Sequence, residues 1–202
     1  MVASFRSLVT FPGGKEQGFR TGVFRYGILG AGRQGTAAAY DLVVRGEAKE
    51  VVLADLDERR AAASADRINR LTESSCARGV RVDATGQVAL VEFLRPLDAF
   101  VSSASWRLNL AVTEAALDAE THMCDLGGNT EVVRAQLELN GEARERGVCI
   151  VPDCGEAPGL ASNLLAYALT FLEETDQLLL LDGGLPEDPI PPFGCTRTTA
   201  SA

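Results

Sequence analysis

From about residue 23 onward, short apolar runs alternate with longer stretches in which apolar residues recur every three or four positions. The short runs predict buried strands and the longer stretches predict amphipathic helices. The six predicted strands cover residues 23–29, 50–55, 80–83, 99–103, 122–126 and 148–152. The five predicted helices cover residues 34–45, 57–71, 87–94, 109–119 and 131–146. This alternation predicts an α/β fold with a doubly wound parallel sheet of the Rossmann type.

The periodicity within the helices predicts which side chains face the sheet. They are Ala115, Ala116 and Ala119 in the fourth helix and Val133, Leu137 and Ala143 in the fifth.

The ends of the chain depart from this pattern. Residues 1–22 form a loose extension that we leave outside the fold. Residues 23–153 are the predicted dinucleotide-binding domain. After Pro152 come a helix-like run at 161–172, an apolar run at 178–181 and a proline-rich tail. Residues 154–202 are therefore read as a hinge helix and the start of an incomplete second α+β domain.

The charge of the chain narrows the class of partner. A net charge of −9 and a pI near 4.7 disfavour nucleic acids and anionic membranes, because binding phosphates needs clustered Lys and Arg. Small molecules are the expected partners. An odd number of cysteines, 5, indicates a reducing compartment, and we expect a cytoplasmic protein.

A glycine-rich turn follows the first predicted strand and opens an alanine-rich helix. Residues 30–35 read Gly-Ala-Gly-Arg-Gln-Gly, the spacing of the dinucleotide-binding fingerprint. Gly30 permits the tight turn, Gly32 removes the Cβ that would block a pyrophosphate, and Gly35 lets the helix pack closely on the strand. The amides around Arg33 and Gln34 point at the phosphates from the positive end of the helix dipole. This context favours dinucleotide binding over a purely structural turn.

Asp55 ends the second predicted strand, where the fingerprint places an acidic residue that accepts hydrogen bonds from the adenosine ribose. A carboxylate there repels a 2′-phosphate and favours NAD, whereas Arg33, Arg59 and Arg60 are near enough in sequence to neutralise one. Arg59 and Arg60 are also explained as solvated residues on a helix surface. NAD is therefore the predicted cofactor, with NADP as the alternative.

Three more residues are predicted at the cofactor site from their places at strand ends. Asp83 ends the third predicted strand, where the adenine lies in such folds. Ser102 and Ser103 end the fourth, beside the nicotinamide ribose, and ordinary strand-to-loop chemistry explains them equally well.

Four segments carry a more specific pattern. They read Ile-Leu-Gly-Ala-Gly at 28–32, Ala-Asp-Leu-Asp at 54–57, Cys-Asp-Leu-Gly-Gly-Asn at 124–129 and Val-Pro-Asp-Cys-Gly-Glu-Ala-Pro-Gly-Leu at 151–160. Together they resemble the saccharopine dehydrogenase and lysine 6-dehydrogenase family across about residues 24–190. The last two blocks are the most specific, because both fall at predicted strand ends in the right order.

The resemblance implies an oxidoreductase that moves hydride between an amino-acid C–N bond and the nicotinamide of NAD(P), leaving an imine that hydrolyses or cyclises. This chemistry needs a neutral amine, a group to take its proton and a dry nicotinamide face. Asp125 and Asp153 are the candidate catalytic residues, and each is also explained as a helix or turn cap.

The single histidine and the cysteines are not assigned to the chemistry. His122 enters the fifth predicted strand and so lies at the edge of the sheet away from the cofactor. The cysteines show no CxxC or paired spacing, so no metal site is predicted.

In the family a separate domain closes over the nicotinamide and supplies substrate-binding and dimer contacts. Residues 183–186 resemble its beginning, but residues 195–202 do not read as its continuation. We therefore expect a truncated or frame-shifted reading frame that binds cofactor without efficient turnover, and a homodimer only for a full-length relative. Two classes stay open: an amino-acid dehydrogenase or its nucleotide-binding portion, and a non-catalytic dinucleotide-binding or regulatory module.

Overall fold

The structure, a computed structural model, describes residues 24–181. The extension predicted for residues 1–22 and the tail from residue 182 lie outside the described residues.

Six parallel strands form one sheet in the order β3-β2-β1-β4-β5-β6. Their bounds are Phe24–Leu29 for β1, Ala48–Asp55 for β2, Ala77–Arg81 for β3, Ala99–Ser102 for β4, His122–Asp125 for β5 and Ile150–Val151 for β6. The order reverses between β1 and β4, and in doubly wound sheets ligands bind at such a switch point, outside the carboxyl ends of the strands. The predicted Rossmann-type fold is confirmed.

Seven α-helices accompany the sheet in the described residues. Their bounds are Arg33–Arg45 for α1, Glu58–Thr72 for α2, Gln87–Leu94 for α3, Asn109–Ala119 for α4, Thr130–Glu138 for α5, Asn140–Arg146 for α6 and Leu160–Leu169 for α7. A 3₁₀ turn, Trp106–Leu108, precedes α4. None of the helices among residues 24–181 is long and apolar enough to cross a membrane.

Both faces of the sheet are covered, and β2 shows this residue by residue. Val51 and Leu53 pack with the buried side chains of α1 and α2, whereas Val52 and Ala54 pack with those of α3 and α4. Successive strand residues point to opposite faces, so a run that is apolar throughout is what a strand covered on both sides requires.

The third strand lies earlier than predicted, at Ala77–Arg81 rather than 80–83. Arg78 and Gly79 interrupt the apolar pattern, but β3 is an edge strand and tolerates polar residues. Gly79 also serves packing, because a Cβ there would meet the backbone of Ala61 and Ala62 in α2. Asp83 consequently lies beyond the strand rather than at its end.

The fifth predicted helix is two helices, divided at Leu139. The amide of Leu139 donates to the carbonyl of Gln136 at 3.1 Å, which tightens the last turn of α5, and Asn140 and Gly141 are weak helix formers. Leu137 does not face the sheet as predicted, since it is 57% exposed, while Gln136 beside it is 3% exposed. The predicted burial of Ala115, Ala116, Ala119 and Ala143 is confirmed.

The last helix differs from the others in burial. Residues Leu160–Leu169 form α7 and none of them is buried. The apolar run at 178–181 forms no strand, and its side chains are exposed.

The glycine at position 35 gives a test of the packing between α1 and the sheet. A Cβ at Gly35 would meet the carbonyl oxygen of Gly30 and lie 2.5 Å from Ser103 Oγ. Because backbone must move to admit it, we expect Gly35→Ala to lower the free energy of unfolding by about 2 kcal/mol or more. Urea denaturation followed by circular dichroism measures this.

Gly141→Ala is the matched control, because a Cβ at Gly141 in α6 meets nothing within 4 Å. It should raise stability by about 0.5–1 kcal/mol through helix propensity. Equal unfolding midpoints for the two variants would contradict the packing role of Gly35.

Candidate functional site at the carboxyl edge of the sheet

Two clefts open at the carboxyl edge of the sheet. The first, of about 320 Å³, lies above β1, β2 and β3 and includes Gly30, Gly32, Asp55 and Ser103 in its lining. The second, of about 460 Å³, lies above β4 and β5 and includes Gln34, Trp106, Gly127 and Cys154. Ala104 and Ser105, which follow β4, line both clefts, so the two adjoin at the switch point, where doubly wound sheets bind their ligands.

The glycine turn is held against β4 by Ser103. The Ser103 hydroxyl donates to the carbonyl oxygens of Leu29 at 3.1 Å and Gly30 at 2.7 Å. Gly30 has φ +100°, and a Cβ there would lie 2.9 Å from the Ser103 backbone. Ser103 therefore acts on the shape of the turn, a role that strand-end placement alone did not reveal.

The space above the turn is free. A Cβ at Gly32 would meet nothing within 4 Å, and no side chain caps the N-terminus of α1. Arg33 and Gln34, in the first turn of α1, are exposed. Uncapped amides at the positive end of a helix dipole, without a Cβ in front of them, suit the binding of phosphate groups.

Asp55 fixes the turn from the other side. Its Oδ2 accepts a hydrogen bond from the amide of Ala31 at 2.9 Å, and its Oδ1 accepts one from the amide of Asp57 at 2.9 Å. The Asp55 side chain is 12% exposed and lies 3.9 Å from the Arg60 guanidinium. Each carboxylate oxygen can accept a second hydrogen bond, so the residue can still accept from a ribose.

Asp83 and Ser102 differ in their relation to the first cleft. Asp83 lines it, and its Oδ1 accepts hydrogen bonds from the Thr85 hydroxyl at 2.6 Å and amide at 2.9 Å, which lower the pKa of the carboxyl. Ser102 is 1% exposed, and its hydroxyl donates to Asn109 Oδ1 at 3.4 Å. The structure therefore brings Asp83 to the cleft and turns Ser102 away from it.

Asp125 lies beneath the second cleft. It is 0% exposed, and its Oδ1 accepts from the amides of Gly127 at 2.7 Å and Asp153 at 3.1 Å. Its Oδ2 accepts from Gln136 Nε2 at 2.7 Å. All three donors are uncharged. Asp153 has φ +65°, and the space where a Cβ of Gly127 would stand is taken by the Asp153 carboxyl.

Cys154 and Glu156 also line the second cleft, and the sequence interpretation assigned neither. Burial, then the nearby Asp125 and Asp153 carboxylates, raise the pKa of the Cys154 thiol. Burial likewise raises the pKa of Cys124 to about 11. Both residues are thiols at neutral pH, which makes them poor nucleophiles.

His122 lies at the start of β5, at the opposite edge of the sheet. Its Nδ1 accepts a hydrogen bond from the amide of Cys149 at 3.1 Å. Among residues 24–181 no three His, Cys, Asp or Glu side chains come together as a possible metal site.

The doubly wound sheet, the glycine turn under an uncapped helix and the two clefts are the features of a dinucleotide-binding domain. The family model described as the saccharopine dehydrogenase NADP binding domain matches residues 26–151, more than half of the chain. The protein belongs to that family, as the resemblance in the sequence predicted.

The fold is shared with a solved dehydrogenase structure. Apo saccharopine dehydrogenase (L-Glu forming) from Saccharomyces cerevisiae has a TM-score of 0.56 and 20% identity, over 73% of this chain and 30% of the yeast chain. Quinate dehydrogenase from Corynebacterium glutamicum in complex with NAD has a TM-score of 0.48 and 24% identity, over 68% of this chain and 47% of that one. The chain thus corresponds to less than half of either protein.

Gly32 offers a test of the site that leaves the fold intact. A methyl group at Gly32 enters free space within the protein but stands where phosphates would approach the α1 amides. We expect Gly32→Ala to weaken NADH binding at least tenfold, about 1.4 kcal/mol, while changing stability by no more than about 0.5 kcal/mol. Energy transfer from Trp106, the only tryptophan, to bound NADH measures the affinity.

Gly141→Ala serves again as the control, since it adds the same methyl group far from the turn. Wild-type NADH affinity in Gly32→Ala would refute the assignment of the phosphate site.

Proposed function

We propose that this chain is the cofactor-binding part of a dehydrogenase that moves hydride between an amino-acid C–N bond and nicotinamide. The observation that carries the proposal is the second cleft, which lies across the switch point from the first and is lined by small and apolar residues together with Cys154 and Glu156. The bound nicotinamide supplies the hydride acceptor or donor. The saccharopine dehydrogenase family supports the amine substrate class.

The residues of the first cleft would hold the other half of the cofactor. The amides at the start of α1 would bind the pyrophosphate above Gly32, and the Asp55 carboxylate would accept from the adenosine ribose. Asp83 would lie beside the adenine. Gly35 and Ser103 would act through the shape of the turn rather than through contact with the cofactor.

The second cleft would exclude water and move a proton. Two carboxylates are candidates to take a proton from a substrate amine. Glu156 lines the cleft, and Asp153, in the loop that follows β6, lies against Gly127 of the lining. A Cys154 thiol would be present as a donor at neutral pH. Asp125 would hold the loops rather than contact the substrate, because it is fully buried and both its oxygens accept hydrogen bonds from the protein.

The exposed apolar surface of α7 supports the proposal that a separate substrate-binding unit begins after β6. Leu164, Tyr167 and Phe171 are 59%, 59% and 70% exposed, although α7 is largely apolar. A helix that is apolar on most of its surface is usually buried in the complete assembly. We propose that this surface contacts the substrate-binding part of the enzyme.

Amine oxidation by the chain is tested by incubation with NAD⁺ and a panel of substrates, following NADH at 340 nm. Because the chain corresponds to 30% of the yeast dehydrogenase chain, L-lysine and saccharopine should give NADH slowly, well below the usual turnover of about 1–10³ per second. 2-Hydroxyhexanoic acid, which has the carbon skeleton of lysine but no amine, should give none, because hydride leaves the carbon that carries the amine nitrogen. Gly32→Ala is the control with an impaired cofactor site, and it should form less NADH than the wild type.

The alternative function, a non-catalytic dinucleotide-binding module, predicts a different result. The wild-type chain would then bind NADH, but it would form no NADH from NAD⁺ with any amine of the panel. That outcome would overturn the dehydrogenase proposal and favour the binding module.

Cofactor preference gives a second test. The Asp55 carboxylate would repel a 2′-phosphate, so we expect NADH to bind more tightly than NADPH. Asp55→Asn removes the charge and should lower the dissociation constant of NADPH relative to that of NADH by about tenfold. This is close to the interaction energy of one charge pair at the protein surface. The ratio is the readout because any loss of turn stability affects both cofactors alike.

Asp57→Asn is the matched control. Asp57 lies two residues after Asp55 and caps α2, where its side chain accepts hydrogen bonds from the amides of Arg59 and Arg60. This variant should leave the NADH to NADPH ratio unchanged. Tighter binding of NADPH than NADH by the wild type would show that Arg60 and its neighbours, not Asp55, govern the preference.

A further inference from the structure

We infer that Gln136 is a positioning residue, which holds the Asp125 carboxylate and through it the two loops that line the second cleft. The inference rests on the proposed function, since that cleft is where the amine would meet the nicotinamide.

The Gln136 side chain is buried in a way that allows one orientation of its amide. The residue is 3% exposed, and Nε2 donates to Asp125 Oδ2 at 2.7 Å and to Thr113 Oγ1 at 2.8 Å. Its Oε1 is buried and has no hydrogen-bond partner in the described part of the chain. Rotating the amide would set Oε1 against the Asp125 carboxylate, so the NH₂ group must face it.

Thr113 fixes Gln136 from the side of α4. Its hydroxyl donates to the carbonyl of Asn109 at 2.8 Å, and Thr113 itself is 0% exposed. The hydroxyl hydrogen is thus committed, and the oxygen is left to accept from Gln136. The amide of Gln136 therefore bridges α4 and the end of β5.

Asp125 passes this constraint to the cleft. Its carboxylate accepts from the amides of Gly127 and Asp153, and its carbonyl accepts from the amide of Cys154 at 2.7 Å. Gly127 and Cys154 both line the second cleft. Of the hydrogen-bond donors to the carboxylate, Gln136 is the one that comes from outside these two loops.

The choice of residue also points away from simple packing. An apolar side chain at position 136 would remove the unpartnered Gln136 oxygen but would leave the buried Asp125 Oδ2 without its donor, so the residue is fitted to Asp125 rather than to an apolar contact. A buried polar group with an unmet hydrogen bond is unfavourable for stability and is often explained by a functional role.

Trp106 provides a readout that does not depend on cofactor. It lines the second cleft, and a Cβ at Gly128 would lie 3.1 Å from the Trp106 side chain. Movement of the loop after β5 therefore changes the surroundings of the indole. Besides Asp125, the titratable groups near this loop and cleft are Cys124, Cys149, Asp153, Cys154 and Glu156.

The experiment compares wild type, Gln136→Glu, Gln136→Leu and Leu137→Glu between pH 6 and pH 8.5. In Gln136→Glu two carboxyl groups in contact share a proton at low pH and repel each other once both are ionised. We expect its Trp106 emission to change with pH and its NADH affinity to fall by about tenfold as pH rises, the size of a typical coupling between sites. Leu137→Glu places the same carboxylate on the exposed side of α5 and should behave as wild type.

Gln136→Leu keeps the test decisive if Gln136→Glu does not fold. It introduces no second carboxylate but removes the Gln136 donor to Asp125 Oδ2, so we expect a folded protein of lower stability with altered Trp106 emission and weaker NADH binding at every pH. Wild-type emission and affinity in both Gln136 variants would overturn the inference. Failure of the wild type to bind NADH would instead refute the proposed function, and the Trp106 emission of the variants would still decide the role of Gln136.

Discussion

The hydrogen bond between a strand-terminal aspartate and the amides of two loops is the interaction on which the site depends. Asp55, at the end of β2, accepts from its own loop at Asp57 and from the neighbouring loop at Ala31. Asp125, at the end of β5, does the same with Gly127 and Asp153. Parallel strands release their loops at one edge with unpaired amides, and a carboxylate there satisfies two of them at once. One arrangement thus positions both clefts.

Close backbone contact supplies the second constraint. The carbonyl of Gly30, the hydroxyl of Ser103 and the missing side chain of Gly35 meet at one point between β1, β4 and α1. The helix can begin directly above the sheet because that point holds no Cβ. Its uncapped first turn then faces the space above Gly32, so the geometry that stabilises the fold also prepares the phosphate site.

Periodicity predicted the strands and most helices because both faces of the sheet are covered, which makes the central strands continuously apolar. Periodicity failed where a polar residue is buried or lies within a strand, or where an apolar residue is exposed. Edge strand β3 carries Arg78, and α5 buries Gln136 in preference to Leu137. The residues of the first cleft followed from the glycine spacing, but the inward turn of Ser102 and the role of Ser103 depend on tertiary contacts that no spacing encodes. The same is true of Cys154 and Glu156, which reach the second cleft through the loop after β6.

The two strand-end aspartates look alike in sequence, each following a short apolar run, yet their surroundings separate their chemistry. Asp55 keeps 12% of its side chain exposed beside the first cleft, whereas Asp125 is fully enclosed with Gln136 against its second oxygen. An enclosed carboxylate that accepts three hydrogen bonds would accept them more weakly after taking a proton, so it suits holding loops better than acid–base work. Burial raises the pKa of the Cys154 thiol, so Cys154 stays protonated at neutral pH and does not serve as a base. In the reaction that we propose, a carboxylate at the cleft itself would accept the proton of the amine, and Glu156 is an exposed carboxylate in the cleft lining.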